Sequence, residues 1–349
     1  LRNGQPRVVI LRALKLGDFL TAVPSLRALT DFFPDHLKVL AAPSSLSPLV
    51  AHTSTAGVVA GTPGLVPLPQ WLDRPDVAVD LHGFGPESQR LLTALRPRRF
   101  VAFRHPAVPE SEGGPSWDLE EHEVDRWCRL LTESGIPADP RRIGIKAPIC
   151  ARFRWTAGAT IIHPGAASGA RRWPPERFAA VARAETAEGR TVVVTGNRSE
   201  RSLACRVARM AGLPGRAVIA GRTRLLELLS VVASAERVIC GDTGIAHVAT
   251  ALGTPSVVLF GPVPPSRWGP PPHRPQHIPL WAGIAGDPHG RRPDPGLLEI
   301  QPADVLAAIR RLPARSGPLG EALLRAAPAP AYDDPEQQQR EDPARYVRR

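Results

Sequence analysis

The chain has 349 residues, 43% hydrophobic and 22% charged. That length suits two domains of roughly 100–200 residues, and the balance excludes fibrous and wholly disordered classes. The net charge of +11 rests on 41 arginines and three lysines and is uneven: residues 1–155 carry 19 basic and 16 acidic groups, 156–312 carry 19 and 11, and 313–349 six of each. The positive field therefore belongs to the second half, where it suits an anionic ligand or a solvated basic surface. Aromatic residues at 5% are too few for a nucleic-acid stacking platform, so nucleic acid is not an expected partner. No run approaches the roughly 20 apolar residues of a membrane span and no signal-peptide pattern opens the chain, so a cytoplasmic location is expected. Cys128, Cys150, Cys205 and Cys240 lie far apart without metal-ligand spacing and read as buried free thiols.

In chain order, 7–12, 76–81 and 99–103 read as buried strands, and 21–33, 87–95 and 119–134 as amphipathic helices. Residues 143–158 lose apolar periodicity and contain Pro148 and Gly158, which places an interdomain linker there. The alternation then repeats, with strands at 160–163, 191–195, 217–220, 237–240 and 256–260 and helices at 175–188, 199–211, 223–233 and 245–252. Eight prolines in 261–279 predict an irregular loop, and 313–349 predict a short helix at most and then disorder. The expected architecture is α/β, with two doubly wound parallel-sheet domains, 1–150 and 151–312, facing each other so that the loops at their strand ends share a cleft.

Three strand ends carry candidate chemistry. The first strand runs into Arg12-Ala13-Leu14-Lys15-Leu16-Gly17-Asp18, so that Asp18 either caps the next helix or faces the cleft. The strand at 160–163 opens into His163-Pro164-Gly165-Ala166-Ala167-Ser168-Gly169-Ala170-Arg171-Arg172. Small residues there free backbone N–H groups for a diphosphate, with two arginines just beyond, unless the loop is plain surface. The third segment, Gly241-Asp242-Thr243-Gly244-Ile245-Ala246-His247, is strand, tight turn and helix. Its Thr243 and Gly244 amides suit a phosphate and Asp242 a sugar hydroxyl, while capping and a core histidine are the plainer readings. Neither standard phosphate loop is present.

Together the patterns R-x-x-x-x-G-D-x-x-x-x-x-P from Arg12, H-P-G-A followed by a basic residue and R-W-P from His163, and G-D-T-G-x-x-H-x-A-x-x-L-G-x-P-x-V-x-L-F-G-P from Gly241 resemble glycosyltransferase family 9, over about residues 7–312. The resemblance implies a GT-B fold and an inverting transfer of heptose or a related sugar from an ADP-linked donor. The acceptor is a glycan, glycolipid or natural-product hydroxyl, and no metal or further cofactor is implied. It makes Asp18 the base and Arg171, where many relatives have lysine, a donor-phosphate contact. It places His163, Gly165, Ala166, Ser168, Arg172, Gly196, Glu200, Asp242, Thr243, Gly244 and His247 on the donor side, and Arg12, Gly17 and His82 on the acceptor side. A monomer is expected, working at the inner face of the membrane if the acceptor is a lipid. A sugar-nucleotide epimerase and a non-catalytic nucleotide-sugar binder are the alternatives.

Overall fold

The computed structural model describes residues 5–314, so the expected disordered tail lies outside the described residues from 315 onward. The first half builds β1 (Arg7–Leu11), α1 (Leu16–Phe32), β2 (Leu37–Ala42), α2 (Ser47–Thr53), β3 (Val58–Gly61), β4 (Val77–Asp80), α3 (Glu87–Thr93), β5 (Arg99–Val101) and α4 (Glu123–Glu133). The second builds β6 (Thr160–His163), α5 (Pro175–Ala187), β7 (Val192–Val194), α6 (Arg201–Met210), α7 (Leu225–Ser234), β8 (Arg237–Gly241), α8 (Gly244–Leu252), β9 (Ser256–Phe260), α9 (Pro265–Trp268), β10 (His277–Trp281), α10 (Pro295–Glu299) and α11 (Pro302–Arg311). The strands form two five-stranded sheets, ordered β3-β2-β1-β4-β5 and β10-β9-β8-β6-β7, and every strand pair is parallel. Central strands of such sheets are covered on both faces and read as continuous apolar runs, as Val8, Val9, Ile10 and Leu11 do at 0% exposure.

Strand order locates the site. In the first sheet the chain moves from β1 outward to β2 and β3, then returns to place β4 on the other side of β1; in the second, β8 returns beside β6. Loops at such a reversal part to opposite faces and leave a crevice beyond the strands' carboxyl ends. The two crevices are therefore bordered by residues 12–18 with 81–86, and by 164–172 with 242–244.

Several elements differ from expectation. Helix α1 begins at Leu16 rather than at 21, where Pro24 would have sat near the permissive first turn. Instead Pro24 lies inside the helix, and the cost of its missing N–H is offset by burial of Phe19, Leu20, Val23 and Leu26. Residues 217–220 are not a strand: they are buried, but only Val218 forms a bridge, to Val194. Conversely, the proline-rich segment contains the short α9 and the edge strand β10, where exposed Pro279 opposes Val258 without needing a ladder donor on its open side. Helix α4 starts at Glu123 rather than 119. Strands β2 and β3 have no counterpart in the sequence reading. All four cysteines are free, but Cys150 and Cys205 are half-buried where full burial was expected; burial pushes the Cys128 thiol up to about 12.

Candidate active site

Asp18 lies in the first turn of α1, not at its N-cap. Its Oδ2 accepts the backbone N–H of Lys15 at 3.2 Å, closing the turn from the third helical position. Beneath it, Arg12 is 1% exposed. Its Nε donates to the Asp18 carbonyl at 2.6 Å, Nη1 to the Leu81 carbonyl, and Nη2 to Thr21 Oγ1 at 2.9 Å and Glu123 Oε1 at 3.1 Å. Arg12 thus supports the turn that carries Asp18 with four of its five N–H groups, and its burial places it under the site rather than on its surface. Glu123 accepts from two further donors: Arg126 Nη1 at 2.5 Å and Trp127 Nε1 at 2.8 Å join Arg12 around it. The Trp127 ring lies 4.9 Å from the Arg12 guanidinium and the Trp117 ring 4.3 Å from that of Arg126, adding cation–π attraction to a buried ion cluster.

Gly17 is explained by the other half of the molecule. A Cβ there would come 2.8 Å from His247 Cδ2 and 3.4 Å from the Gly244 Cα, so the N-terminal ends of α1 and α8 meet with no side chain between them. His247 is 9% exposed, its ring edge-to-face with Trp268 at 6.1 Å. Burial holds its pKa below the ordinary value, against the pull of Asp242 and Asp18, so the ring is neutral at pH 7. Asp242 is 6% exposed; burial raises its pKa, opposed mainly by Arg171 and His247. Arg171 Nη1 approaches Asp242 Oδ2 at 3.5 Å, and the Arg171 Nε contacts Ser168 Oγ at 3.4 Å. Asp18 also enters the electrostatics of both Asp242 and His247. The base candidate and the donor-side turn therefore share one cleft.

On the β6 side, His163 Nδ1 pairs with Thr195 Oγ1 at 2.9 Å and its Nε2 lies 4.0 Å from Glu200 Oε2. Burial holds this histidine below its usual pKa despite Glu200. The Glu200 carboxylate accepts the Asn197 N–H at 2.8 Å and presses on Gly165, where a Cβ would stand 2.2 Å from the carboxylate. A Cβ at Gly196 would likewise stand 3.2 Å from the Cβ of Glu200, so Gly165, Gly196 and Glu200 form one patch. Arg172 Nε donates to the Ala166 carbonyl at 2.9 Å and braces the loop; its exposed position leaves the rest of the guanidinium to solvent. Thr243 is the N-cap of α8 with extended backbone and makes no side-chain cap bond, so the first N–H groups of that helix have no partner in the preceding turn.

Glu123 and Asp80 were not singled out from sequence. An acid at a helix start reads as a dipole partner and one at a strand end as the limit of burial. Their partners, Arg12 for Glu123 and Ser88 for Asp80, come from other elements. Among the described residues no three His, Cys, Asp or Glu side chains are grouped to hold a metal ion.

Two parallel-sheet units with facing crevices place the molecule in the GT-B class of glycosyltransferase folds. Superposition agrees. The glycosyl transferase family 9 structure from Veillonella parvula matches with TM-score 0.71 and 19% identity over 89% of this chain and 98% of that one. The E. coli ADP-heptose lps heptosyltransferase II matches with TM-score 0.69 and 20% identity over 87% and 98%. Residues 116–289 match the family described as glycosyltransferase family 9 (heptosyltransferase). Over that stretch, just under half of its length, the chain matches glycosyltransferase family 9. Among curated relatives, lipopolysaccharide heptosyltransferase 2 of Salmonella typhimurium is 29% identical over 186 residues, half of this chain and 53% of the relative, so the match spans about half of that relative's length.

Proposed function

We propose that this protein transfers a sugar, heptose or a related one, from an ADP-linked donor to a hydroxyl of a glycan, glycolipid or natural product, with inversion. Residues 1–150 form the acceptor side and 151–312 the donor side. The observation that carries the reading is the meeting of the α1 and α8 N-termini, which sets Asp18 across the cleft from the 242–244 turn. Inversion needs the acceptor oxygen to attack the anomeric carbon from the face opposite the leaving diphosphate. In that step a base removes the acceptor proton and a positive field takes up the charge released. Asp18 supplies the first. Arg171, the Thr243 and Gly244 amides and the α8 dipole supply the second. Asp242 orients Arg171, and Glu200 faces the ribose. The Arg171 fork favours two phosphate oxygens at once, where a lysine would offer a point charge. The E. coli heptosyltransferase WaaC, a structural neighbour, is described with ADP, which supports the adenine nucleotide.

The test is a thermal-shift screen of nucleoside diphosphates on the purified protein. ADP at about 100 times its dissociation constant should stabilise by about 2.7 kcal/mol. A shift with UDP or GDP but not ADP would overturn the donor assignment. Consumption of ADP-sugar without any acceptor would favour the epimerase chemistry.

A further inference from the structure

The Arg171 side chain is aimed only weakly by its own bonds. Its Nη1 stands 3.5 Å from Asp242 Oδ2 and its Nε 3.4 Å from Ser168 Oγ, both beyond the roughly 2.7–3.2 Å of a well-formed bond. Its backbone is held more firmly. Gly169–Arg171 form a single helical turn, and the residue at its centre, Ala170, is 2% exposed. The Ala170 N–H donates to the Gly290 carbonyl at 2.8 Å, and the Ala170 carbonyl accepts the Asp294 N–H at 3.1 Å. Segment 286–294, which no step above uses, is therefore laid across the turn as a strap. The contact is close: a Cβ on Gly169 would overlap the Arg291 carbonyl and stand 3.0 Å from the Arg291 Cα. On the other side, a Cβ on Gly241 would come 3.0 Å from the Arg171 carbonyl, so the turn is gripped between the strap and the end of β8. Both ends of the strap are anchored. The Gly286 N–H donates to the Pro262 carbonyl at 3.0 Å, and beyond the other end Trp173 Nε1 donates to the Ile300 carbonyl at 2.9 Å. Asp294, 6% exposed, joins anchor to turn: its Oδ1 accepts the Gly296 and Leu297 N–H groups at 2.9 and 3.4 Å while its own N–H holds Ala170.

We propose that this strap sets where Arg171 points, with Gly169 and Asp294 as positioning residues for recognition of a nucleoside diphosphate. The proposal rests on the reading of Arg171 as the diphosphate contact and adds what fixes that contact in place. A guanidinium on a flexible side chain loses rotamer freedom when it clasps phosphate oxygens, and a backbone free to wander would lose more. With the N–H and carbonyl of Ala170 both engaged by the strap, the backbone part of that loss is met on folding, before any ligand arrives. The strap does this with main-chain groups: Gly290 and Asp294 bond Ala170 through their backbones, and Arg291 meets Gly169 through its carbonyl and Cα.

The experiment is a double-mutant cycle read by calorimetric titration of the full chain with ADP. Arg171→Ala should weaken ADP about 10–100-fold, the worth of charge-assisted hydrogen bonds. Asp294→Ala, which loosens the anchor, should weaken it about three- to tenfold, and Gly169→Ala at least as much. Asp294→Asn keeps an oxygen for the Gly296 and Leu297 N–H groups and should bind within about twofold of the wild type. Added to Arg171→Ala, neither Asp294→Ala nor Gly169→Ala should cost more than about twofold, because the group they position is gone. A merely structural role would lower affinity by the same factor in both backgrounds. That result, or wild-type affinity in either single variant, would overturn the proposal. Hydrogen exchange of the wild type needs no substitution. By reciprocity, ADP should slow exchange of the Ala170 and Asp294 amides about three- to tenfold, and unchanged exchange with ADP bound would also overturn the proposal. Failure of ADP to bind the wild type removes the donor reading and the strap's role with it, whereas binding without coupling removes only the strap.

Discussion

On the proposed mechanism Asp18 has two duties, and substitution separates them. As a base it needs a proton acceptor; as the third residue of α1 it needs only an oxygen that accepts the Lys15 N–H. Asp18→Asn keeps the second and loses the first, so turnover should fall about 10²–10⁴-fold while ADP affinity and melting temperature hold. Asp18→Ala should in addition lose about 0.5–1 kcal/mol of stability through the lost cap. A fully active Asn variant would remove Asp18 from the mechanism. Asp80 gives a prediction in pH. Burial raises its pKa from 3.8 to about 6, against the hydrogen bonds from Ser88 and His82. Between those values the folded chain holds a proton that the unfolded chain has released. Stability from this group is thus full below about pH 4 and lost as pH rises through about 6, by about 3 kcal/mol in all. Denaturant unfolding of the wild type and Asp80→Asn across pH 4–7 should show the wild type losing stability relative to the variant over that window. Parallel profiles would show that Asp80 titrates normally.

At the scale of elements, the contact between α1 and α8 makes the cleft. Gly17→Ala drives a methyl group to 2.8 Å from His247 Cδ2, a distance at which the ring or the helix must yield. Overpacking of this kind costs about 1–3 kcal/mol, and turnover should fall with it. Unchanged unfolding and unchanged kcat would show that the helices are free to separate. The strand-to-helix junctions at 12–18, 163–172 and 241–247 were legible because each breaks an apolar run with glycine and charge in a few residues. Strands β2 and β3 were not: four of the six residues of Leu37–Ala42 are alanine or leucine, equally at home in a helix, and Val58–Gly61 has four residues. At 217–220 the error ran the other way, since burial alone gives a strand's composition without a strand's partner. Glu123 and Asp80 stayed hidden because their neighbours lie in other elements, and a local pattern carries no sign of them.

Over the whole molecule, two kinds of ion pair join distant parts of the chain. Glu123 pairs with both Arg12 and Arg126, all three at 5% exposure or less, and Glu123→Ala should cost about 3–5 kcal/mol because both cations stay buried without it. Arg267 pairs with Glu120 across the two units near the point where His122 Nε2 meets the Gly269 carbonyl at 2.9 Å. That pair is largely exposed, and Arg267→Ala should cost less than about 1 kcal/mol. Urea unfolding of both variants checks the contrast, and equal losses would contradict it. The abutment of Gly17 on Gly244 and His247 also bears on the order of synthesis. The first unit can close its sheet at β5, yet Asp18 faces open water until α8 has left the ribosome, roughly 8–30 s later at ordinary elongation rates. A nascent chain therefore carries the proposed base long before it carries the donor side that base would face.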